Sequence, residues 1–345
     1  MNQTVGIASL NYYIPSGRIT SEEMSKKSKI PEWVFTEKIG IMGKPIAARD
    51  EHPAEMGLKA ALGAIEKAKI KPQDLSIIAY CGAGDYDYRF WSPAAKIQGL
   101  IEAENAFAFE VRNFCNSGNL GLHLCRNMLL ADPDLTYALA ICSDKLSYLV
   151  NYNDPDAVST FILADGAVAT ILKKGETSNK LLAYYAVTDG KLSDYLKVPL
   201  GGTQFPFDFS DITPDLNYLK VSNPKQLDTI LSDIYLENYQ KVINIALSKS
   251  NLCKKDINFL FTNQVKKSLS HKILNSLGLN EEQTYISLSE YGHLGAVDTL
   301  FCLTKTLESE KINSGDIVVL ASSATGFSWA ALIVKFLDVT DGSRI

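Results

Sequence analysis

The sequence is short of the features that mark membrane, secreted and nucleic-acid-binding proteins. No apolar run is long enough to span a bilayer: the most hydrophobic stretch, Ile317 to Phe336, is broken by Ser322, Ser323, Thr325 and Ser328 and reads as two buried strands. Met1 to Gly6 offer no basic segment followed by an apolar one, so no secretory leader is expected there. Positive charge is not in surplus. The 34 Lys and Arg are outnumbered by 39 Asp and Glu, for a net charge of -5, which argues against a phosphate backbone as the main partner but leaves room for a local basic patch. CxxC pairs are missing too. Of the six cysteines (81, 115, 125, 142, 253 and 302), most sit in apolar surroundings, with no short disulfide framework. Reduced thiols, a cytoplasmic location and no metal site are expected.

What is present is a large apolar complement, 46% of 345 residues, enough for two domains or one large duplicated fold. Strand-like runs alternate with helix-like runs, the pattern of an α/β protein with strands buried on both faces. That pattern repeats. Ala64 to Cys81 (AIEKAKIKPQDLSIIAYC) recurs as Ala246 to Asn263 (ALSKSNLCKKDINFLFTN), with Ala64/Ala246, Lys67/Lys249 and Asp74/Asp256 identical. Tyr137 to Ser143 corresponds to Ile317 to Ser323, and Ala167 to Lys173 corresponds to Trp329 to Lys335. Between them, a strand, a tight turn and a small-residue helix occur at Ala106 to Leu130 and again at Thr284 to Leu307. Matches in the same order point to two similar halves: an N-terminal half over 1–175, a connection over 176–225 and a C-terminal half over 226–345. The joint, Asp189 to Leu227, is rich in Pro and Gly and holds Phe205, Phe207 and Phe209, which suits either a flap walling a substrate cavity or a packed surface loop.

In such a duplicated sandwich, equivalent turns from both halves converge near the pseudo-two-fold axis. One turn ends a strand at Phe109 and opens a helix at Cys115, where Gly118 and Gly121 permit close packing and Leu120, Leu124 and Met128 mark the core stripe. A thiol at a helix N-terminus meets the positive end of the dipole, which favours thiolate, and thiolate attack on a thioester is nearly isoenergetic. Cys115 is therefore read as an acyl-accepting nucleophile, although by residue type alone a buried structural cysteine is commoner. The turn Phe261 to Val265 offers the amides of Asn263 and Gln264 to a developing oxyanion, a role that competes with ordinary helix capping. The turn Tyr291-Gly292-His293-Leu294-Gly295-Ala296 is the second-half counterpart of the cysteine turn, and that pairing gives His293 a catalytic reading over a structural one.

Taken together, these residues resemble the β-ketoacyl-ACP synthase III group of the thiolase superfamily, from Ile7 to Phe336. Pro31 to Ile41 resembles the family's tryptophan segment, so Trp33 and Lys38 are expected to contact coenzyme A. Phe161 to Ala167 resembles its FGDGA stretch, Ala324 to Trp329 its glycine-rich loop, and Cys115 stands where the family has its nucleophile. The resemblance implies an α/β fold, the thiolase-like five-layered αβαβα sandwich. It implies a homodimer in which Phe90 reaches the neighbouring acyl pocket, with Phe205 and Phe207 also bordering the substrate. It implies ping-pong chemistry as well. An acyl group would pass from acyl-CoA or acyl carrier protein to Cys115, with the backbone N–H groups of Cys115 and Gly326 holding the oxyanion. A malonyl thioester would then lose carbon dioxide and attack. No cofactor is expected to stay bound; coenzyme A and ACP phosphopantetheine thioesters are substrates.

The chain departs from the family at two turns. His-Gln-Ala-Asn is replaced by Asn263-Gln264-Val265-Lys266, and His-Gly-Asn by Tyr291-Gly292-His293, so histidine and asparagine stand exchanged. An imidazole N–H and an amide N–H can each donate to one carbonyl, so an exchanged pair could preserve the oxyanion site. Two other outcomes stay open. His293 could be a general base for acyl transfer to an alcohol, amine or carbon acid, with Asp298 either orienting it or only capping a helix. The chain could instead be a non-catalytic partner subunit of an active synthase. Lys266, Lys267 and Lys272 follow the Asn263 turn, as a docking rim for an acidic carrier protein or as a solvated helix face.

Overall fold

In this computed structural model, which describes residues 4–208 and 212–337, nine strands pair into one sheet among the described residues; Phe209 lies outside them. The first half supplies β1 (Val5–Tyr13), β2 (Leu75–Tyr80), β3 (Phe107–Glu110), β4 (Tyr137–Lys145) and β5 (Asp165–Lys174). The second supplies β6 (Asn179–Thr188), β7 (Ile257–Thr262), β8 (Ile317–Ala324) and β9 (Ser328–Phe336). Their order is β7-β8-β9-β6-β1-β5-β4-β2-β3. Both halves use one pairing scheme: β2 and β4 are parallel like β7 and β8, while β4–β5 and β8–β9 are antiparallel. The halves meet where Gly6 faces Lys180. The covering helices are α1 (Pro53–Ala68), α2 (Pro93–Leu100), α3 (Ser117–Ala131), α4 (Pro224–Lys249), α5 (Lys267–Leu277) and α6 (Asp298–Glu308).

Successive residues of a strand face opposite ways, so a strand buried on both sides feeds two layers. Ile77 and Ala79 of β2, with Val318 and Leu320 of β8, face a central core shared with α3 and α6. Leu75, Ile78 and Tyr80 face outward onto α1 and α2. Ile317, Val319 and Ala321 face α4 and α5 on the far side. The expected αβαβα sandwich follows directly from that alternation.

The repeat has a local cause. Asp74 accepts the Lys71 N–H at 2.8 Å and Asp256 accepts the Cys253 N–H at 2.7 Å, so each copy enters its strand through the same side-chain-capped turn. Two expectations differ from the structure. Residues 179–188, inside the expected connection 176–225, form β6 and pair with β9, because their continuous apolar run, Leu181 to Val187, completes the second half's sheet. Thr284 opens no strand: its hydroxyl donates to Leu260 O at 2.7 Å beside β7, but the chain there is irregular. Of the described residues of the joint, some pack on α4 and α5, as Leu192 and Val221 do, and others meet the first half. Leu219 N donates to Leu149 O at 2.9 Å, and the Arg89 guanidinium lies 5.1 Å from the Phe207 ring.

Candidate active site

After β3 the chain turns through Phe114, at φ 49°, into a short 3-10 turn, Phe114–Asn116, that runs on into α3. Positive φ is unfavourable for a bulky residue, and the turn is held in place by its neighbours. Asn113 N donates to Ser117 Oγ at 2.7 Å, and Ser117 Oγ donates to Gly82 O at 3.1 Å. Asn116 is fully buried and ties the turn to the other half: its Nδ2 donates to Ser328 Oγ at 2.8 Å, and its Oδ1 accepts from Ser322 Oγ. Asn119 adds a bond to Ser322 Oγ at 2.9 Å and accepts from Thr299 Oγ1 at 3.2 Å. Cys115 is thereby held, half-buried, at the seam between the halves.

Across that seam, His293 Nε2 lies 3.2 Å from Cys115 Sγ, and His293 Nδ1 lies 2.5 Å from Asp298 Oδ2. Asp298 opens α6 and is fully buried. Its Oδ2 also accepts the Gln264 N–H at 2.7 Å, and its Oδ1 accepts the Leu294 N–H at 2.9 Å. The carboxylate therefore both caps and orients. With Nδ1–H given to Asp298, Nε2 can take the thiol proton. Burial opposes a charged imidazole, but the charges and hydrogen bonds of Cys115 and Asp298 hold it well above its ordinary value.

The histidine turn closes only with glycine at its corners. Gly292 has φ 63°, and a Cβ there would lie 2.4 Å from Ile162 O; at Gly295 one would lie 2.5 Å from Asp144 Oδ2. The His293 backbone pairs with the 161–164 segment, donating to Ile162 O at 2.8 Å and accepting from Ala164 N at 2.9 Å. Fully buried Lys44 clamps that segment through Phe161 O at 2.7 Å and Leu163 O at 2.5 Å. Burial pushes its amine down to about 7, with Asp165 partly offsetting the effect. Asp144 joins the halves by accepting from Ala83 N at 2.6 Å, Gly84 N at 2.9 Å and Ala296 N at 2.9 Å. Its carboxyl is pushed up to about 6 by burial, against those bonds. Sequence reading passed over both; their one signal was a charge beside an apolar strand or turn.

Asn263 is employed differently from the expectation. Its Oδ1 accepts from Ser323 N at 3.1 Å and from the Tyr239 phenol, and its Nδ2 donates to Ser323 O at 3.1 Å and to Ser323 Oγ at 3.3 Å. Among the described residues its amide bonds to neither Cys115 nor His293. Tyr235 and Tyr239 of α4 also went unnoticed, because tyrosines one turn apart on an amphipathic helix read as core. Burial above all pushes both phenols up; the Tyr235 charge adds to this at Tyr239, and the Cys115 charge adds a smaller push at each.

The outer candidate residues are exposed. Trp33 is 50% exposed, with Lys38 Nζ 5.9 Å from its ring centroid. Gly40, which ends that turn, abuts Lys267, so the tryptophan segment and the start of α5 share one rim with exposed Lys266 and Lys272. Phe90 is fully exposed at φ 51°, and Phe205 and Phe207 are exposed on the joint. Gly326 lies in the turn between β8 and β9, which Ser328 ties to Asn116. Among the described residues no His, Cys, Asp and Glu cluster is placed to hold a metal, and no helix is long and apolar enough to cross a membrane.

Comparison with known proteins agrees with this fold. The family profile for 3-oxoacyl-[acyl-carrier-protein (ACP)] synthase III matches residues 109–190, and the profile for its C-terminal part matches residues 247–336. A β-ketoacyl-[acyl-carrier-protein] synthase III of Prochlorococcus marinus is 28% identical over 94% of this chain and 94% of the relative. One from Clostridium tetani is 28% identical over 97% of this chain and 99% of the relative. Among solved structures, the 3-oxoacyl-[acyl-carrier-protein] synthase III of Aquifex aeolicus shares the fold at a TM-score of 0.83 and 20% identity, over 96% of this chain and 100% of that one. Xanthomonas campestris OleA with bound lauric acid and lauroyl-CoA also superposes at 0.83, with 16% identity over 97% of this chain and 100% of that one.

Proposed function

Because the chain belongs to the 3-oxoacyl-[acyl-carrier-protein] synthase III family of condensing enzymes, we propose that it loads an acyl group onto Cys115 and joins it to a malonyl-type thioester with loss of carbon dioxide. The observation that carries this reading is the 3.2 Å approach of His293 Nε2 to Cys115 Sγ at the seam of the halves. The imidazole takes the thiol proton as sulfur attacks the donor carbonyl. The backbone N–H groups of Cys115 and Gly326 hold the oxyanion, and the departing CoA or carrier thiolate takes its proton from the imidazole. Backed by Asp298, the ring recovers a proton from solvent. Its Nε2–H then donates to the enolate oxygen as the malonyl carbon–carboxylate bond breaks. The enolate carbon attacks the acyl carbonyl and the Cys115 thiolate leaves.

Substrates and partners follow from the rim and the exposed aromatics. Trp33 and Lys38 suit the nucleotide end of coenzyme A, and Lys266, Lys267 and Lys272 suit an acidic carrier protein. Phe205 and Phe207 border the acyl path. Phe90, held outward at an unfavourable φ, suits insertion into a second copy of the chain, giving a homodimer. Substrate thioesters supply all the chemistry, with no resident cofactor in this scheme. The six unpaired cysteines suit the reducing cytoplasm.

One observation favours a second reading. With the Asn263 amide engaged by Ser323 and Tyr239, and a carboxylate behind His293, the site also resembles a general-base site for acyl transfer to an alcohol or amine. Intact-mass measurement with a panel of acyl-CoA and acyl-ACP donors, with Cys115→Ala as control, tests loading; labelled carbon dioxide from a malonyl thioester tests condensation. Loading without carbon dioxide release would favour the second reading. Absence of loading with every donor would favour a non-catalytic partner subunit, and loading of Cys115→Ala would overturn the nucleophile.

A further inference from the structure

One hydroxyl braces the turn that carries Cys115 from the other half of the fold. Ser328, buried at the start of β9, accepts from Asn116 Nδ2 at 2.8 Å and donates to Asn113 Oδ1 at 3.4 Å. Those partners flank Cys115 on either side, so a single oxygen spans the turn. Phe114 lies between them at φ 49°, a conformation that persists only where the surroundings impose it. The amide of Asn116 is oriented by its neighbours. Leu320 C=O can only accept, so Asn119 Nδ2 donates to it at 3.3 Å and also to Ser322 Oγ at 2.9 Å. The Ser322 proton then goes to Asn116 Oδ1, which leaves Asn116 Nδ2 to donate to Ser328.

Ser328 also closes the turn on its own side. It pairs with Ala324 across β8 and β9, so Gly326 is the middle residue of the three that join those strands. On the other flank Asp189 N donates to Phe327 O at 2.8 Å and Phe327 N donates to Asp189 O at 3.1 Å. The Gly326 turn is thereby fixed to its own sheet, and the Ser328 hydroxyl fixes it to the Cys115 turn.

We propose that Ser328 is a positioning residue for the oxyanion site, its hydroxyl setting the spacing between the backbone N–H groups of Cys115 and Gly326 through Asn113 and Asn116. This rests on the acyl-loading role proposed above. As the Cys115 sulfur bonds to the donor carbonyl carbon, the carbonyl electron pair moves to oxygen, where both N–H groups meet it. The pair returns as the carbon–sulfur bond to the departing CoA or carrier thiolate breaks. Ser328 touches no reacting atom and exchanges no proton in either step. Oxyanion donors act by being in place beforehand, and a shift of about 1 Å at a reacting centre costs about 100-fold.

The test separates acyl loading from thiol reactivity. Alkylation of Cys115 by iodoacetamide displaces iodide and forms no oxyanion, so it reports the thiolate and His293 alone. In Ser328→Ala the thiol keeps its other supports: Asn113 N–H on Ser117 Oγ, Ser117 Oγ on Gly82 O, and Ser322 Oγ on Asn116 Oδ1. Single-turnover loading at saturating acyl-CoA, read by intact mass, should fall about 10- to 100-fold in this variant. The donor concentration for half-maximal loading and the labelling rate of Cys115 should stay close to wild type. Ser328→Thr and Ser328→Val separate the hydroxyl from bulk, because the two side chains share one shape and only the first can bond Asn113 and Asn116. Ser328→Thr should restore most of the loading rate and Ser328→Val should not; the same pair serves where Ser328→Ala does not fold. Equal slowing of loading and labelling, an unchanged loading rate, or equal rates in Ser328→Thr and Ser328→Val would overturn the role of Ser328. A wild-type chain that is labelled at Cys115 yet loads no acyl group from any donor would overturn the acyl-loading role itself, an outcome distinct from any behaviour of the variants.

Discussion

Cys115 and His293 stand 178 residues apart in the chain and 3.2 Å apart in space, one on each half of a duplicated fold. In the reaction proposed above, the first-half turn supplies the nucleophile and the second-half turn its proton acceptor, so both halves are needed.

Replacing His293 with Ala should slow acyl loading of Cys115 by about 10²–10⁴-fold, the usual range for a general base. Intact mass after rapid quench reads this directly. Iodoacetamide should label Cys115 faster than the other cysteines in wild type, and that preference should shrink in the variant.

Asp298→Asn keeps the shape but removes the charge that helps hold the imidazole well above its ordinary value. The His293 titration should move to lower pH, by ¹H–¹⁵N NMR of the imidazole. Its raised value stabilises the fold below the ordinary histidine range, and that stability is lost as pH rises through the folded value. The difference in melting temperature between wild type and variant should therefore narrow as pH rises.

Lys44 is buried, with its amine near 7, so in alkaline solution the unfolded chain binds the extra proton and the stability contributed by this group rises with pH. The melting temperature of wild type relative to Lys44→Met should increase between about pH 7 and pH 10. Since Lys44 clamps the segment paired with His293, Lys44→Met should also slow loading, with Lys44→Arg restoring part of the rate.

Asp144→Asn places an amide NH₂ against a backbone N–H, because the carboxylate accepts from Ala83 and Gly84 on one oxygen and Ala296 on the other. At least one buried donor is orphaned whichever way the amide turns, at a cost of about 1–3 kcal/mol each. Urea midpoints at constant m-value should show that loss.

Lys267→Glu should raise KM for acyl-ACP several-fold while changing KM for acyl-CoA less, with the gap closing at high salt. An equal change for both donors would make Lys267 part of a shared thioester entrance rather than a carrier-docking surface.

The sequence by itself determined the duplicated α/β sandwich, because strand alternation and the capped turns at Asp74 and Asp256 are local patterns that any copy of the stretch would form. It also marked Cys115 and His293, each in a turn that leads into a helix. What only the tertiary structure decided is the partner of each polar group. Asp298 could have capped a helix and nothing more; packing of the turn against α6 also sets it on His293. Asn263, read as a donor to substrate, is instead held by Ser323 and Tyr239, which come from β8 and α4. Lys44 and Asp144 show in the sequence only as a charge beside an apolar strand or turn, and Tyr235 only as a core position of an amphipathic helix. Patterning tells which face of an element is buried, but a buried hydrogen bond depends on distance and angle between elements, and those are fixed only once the layers have packed.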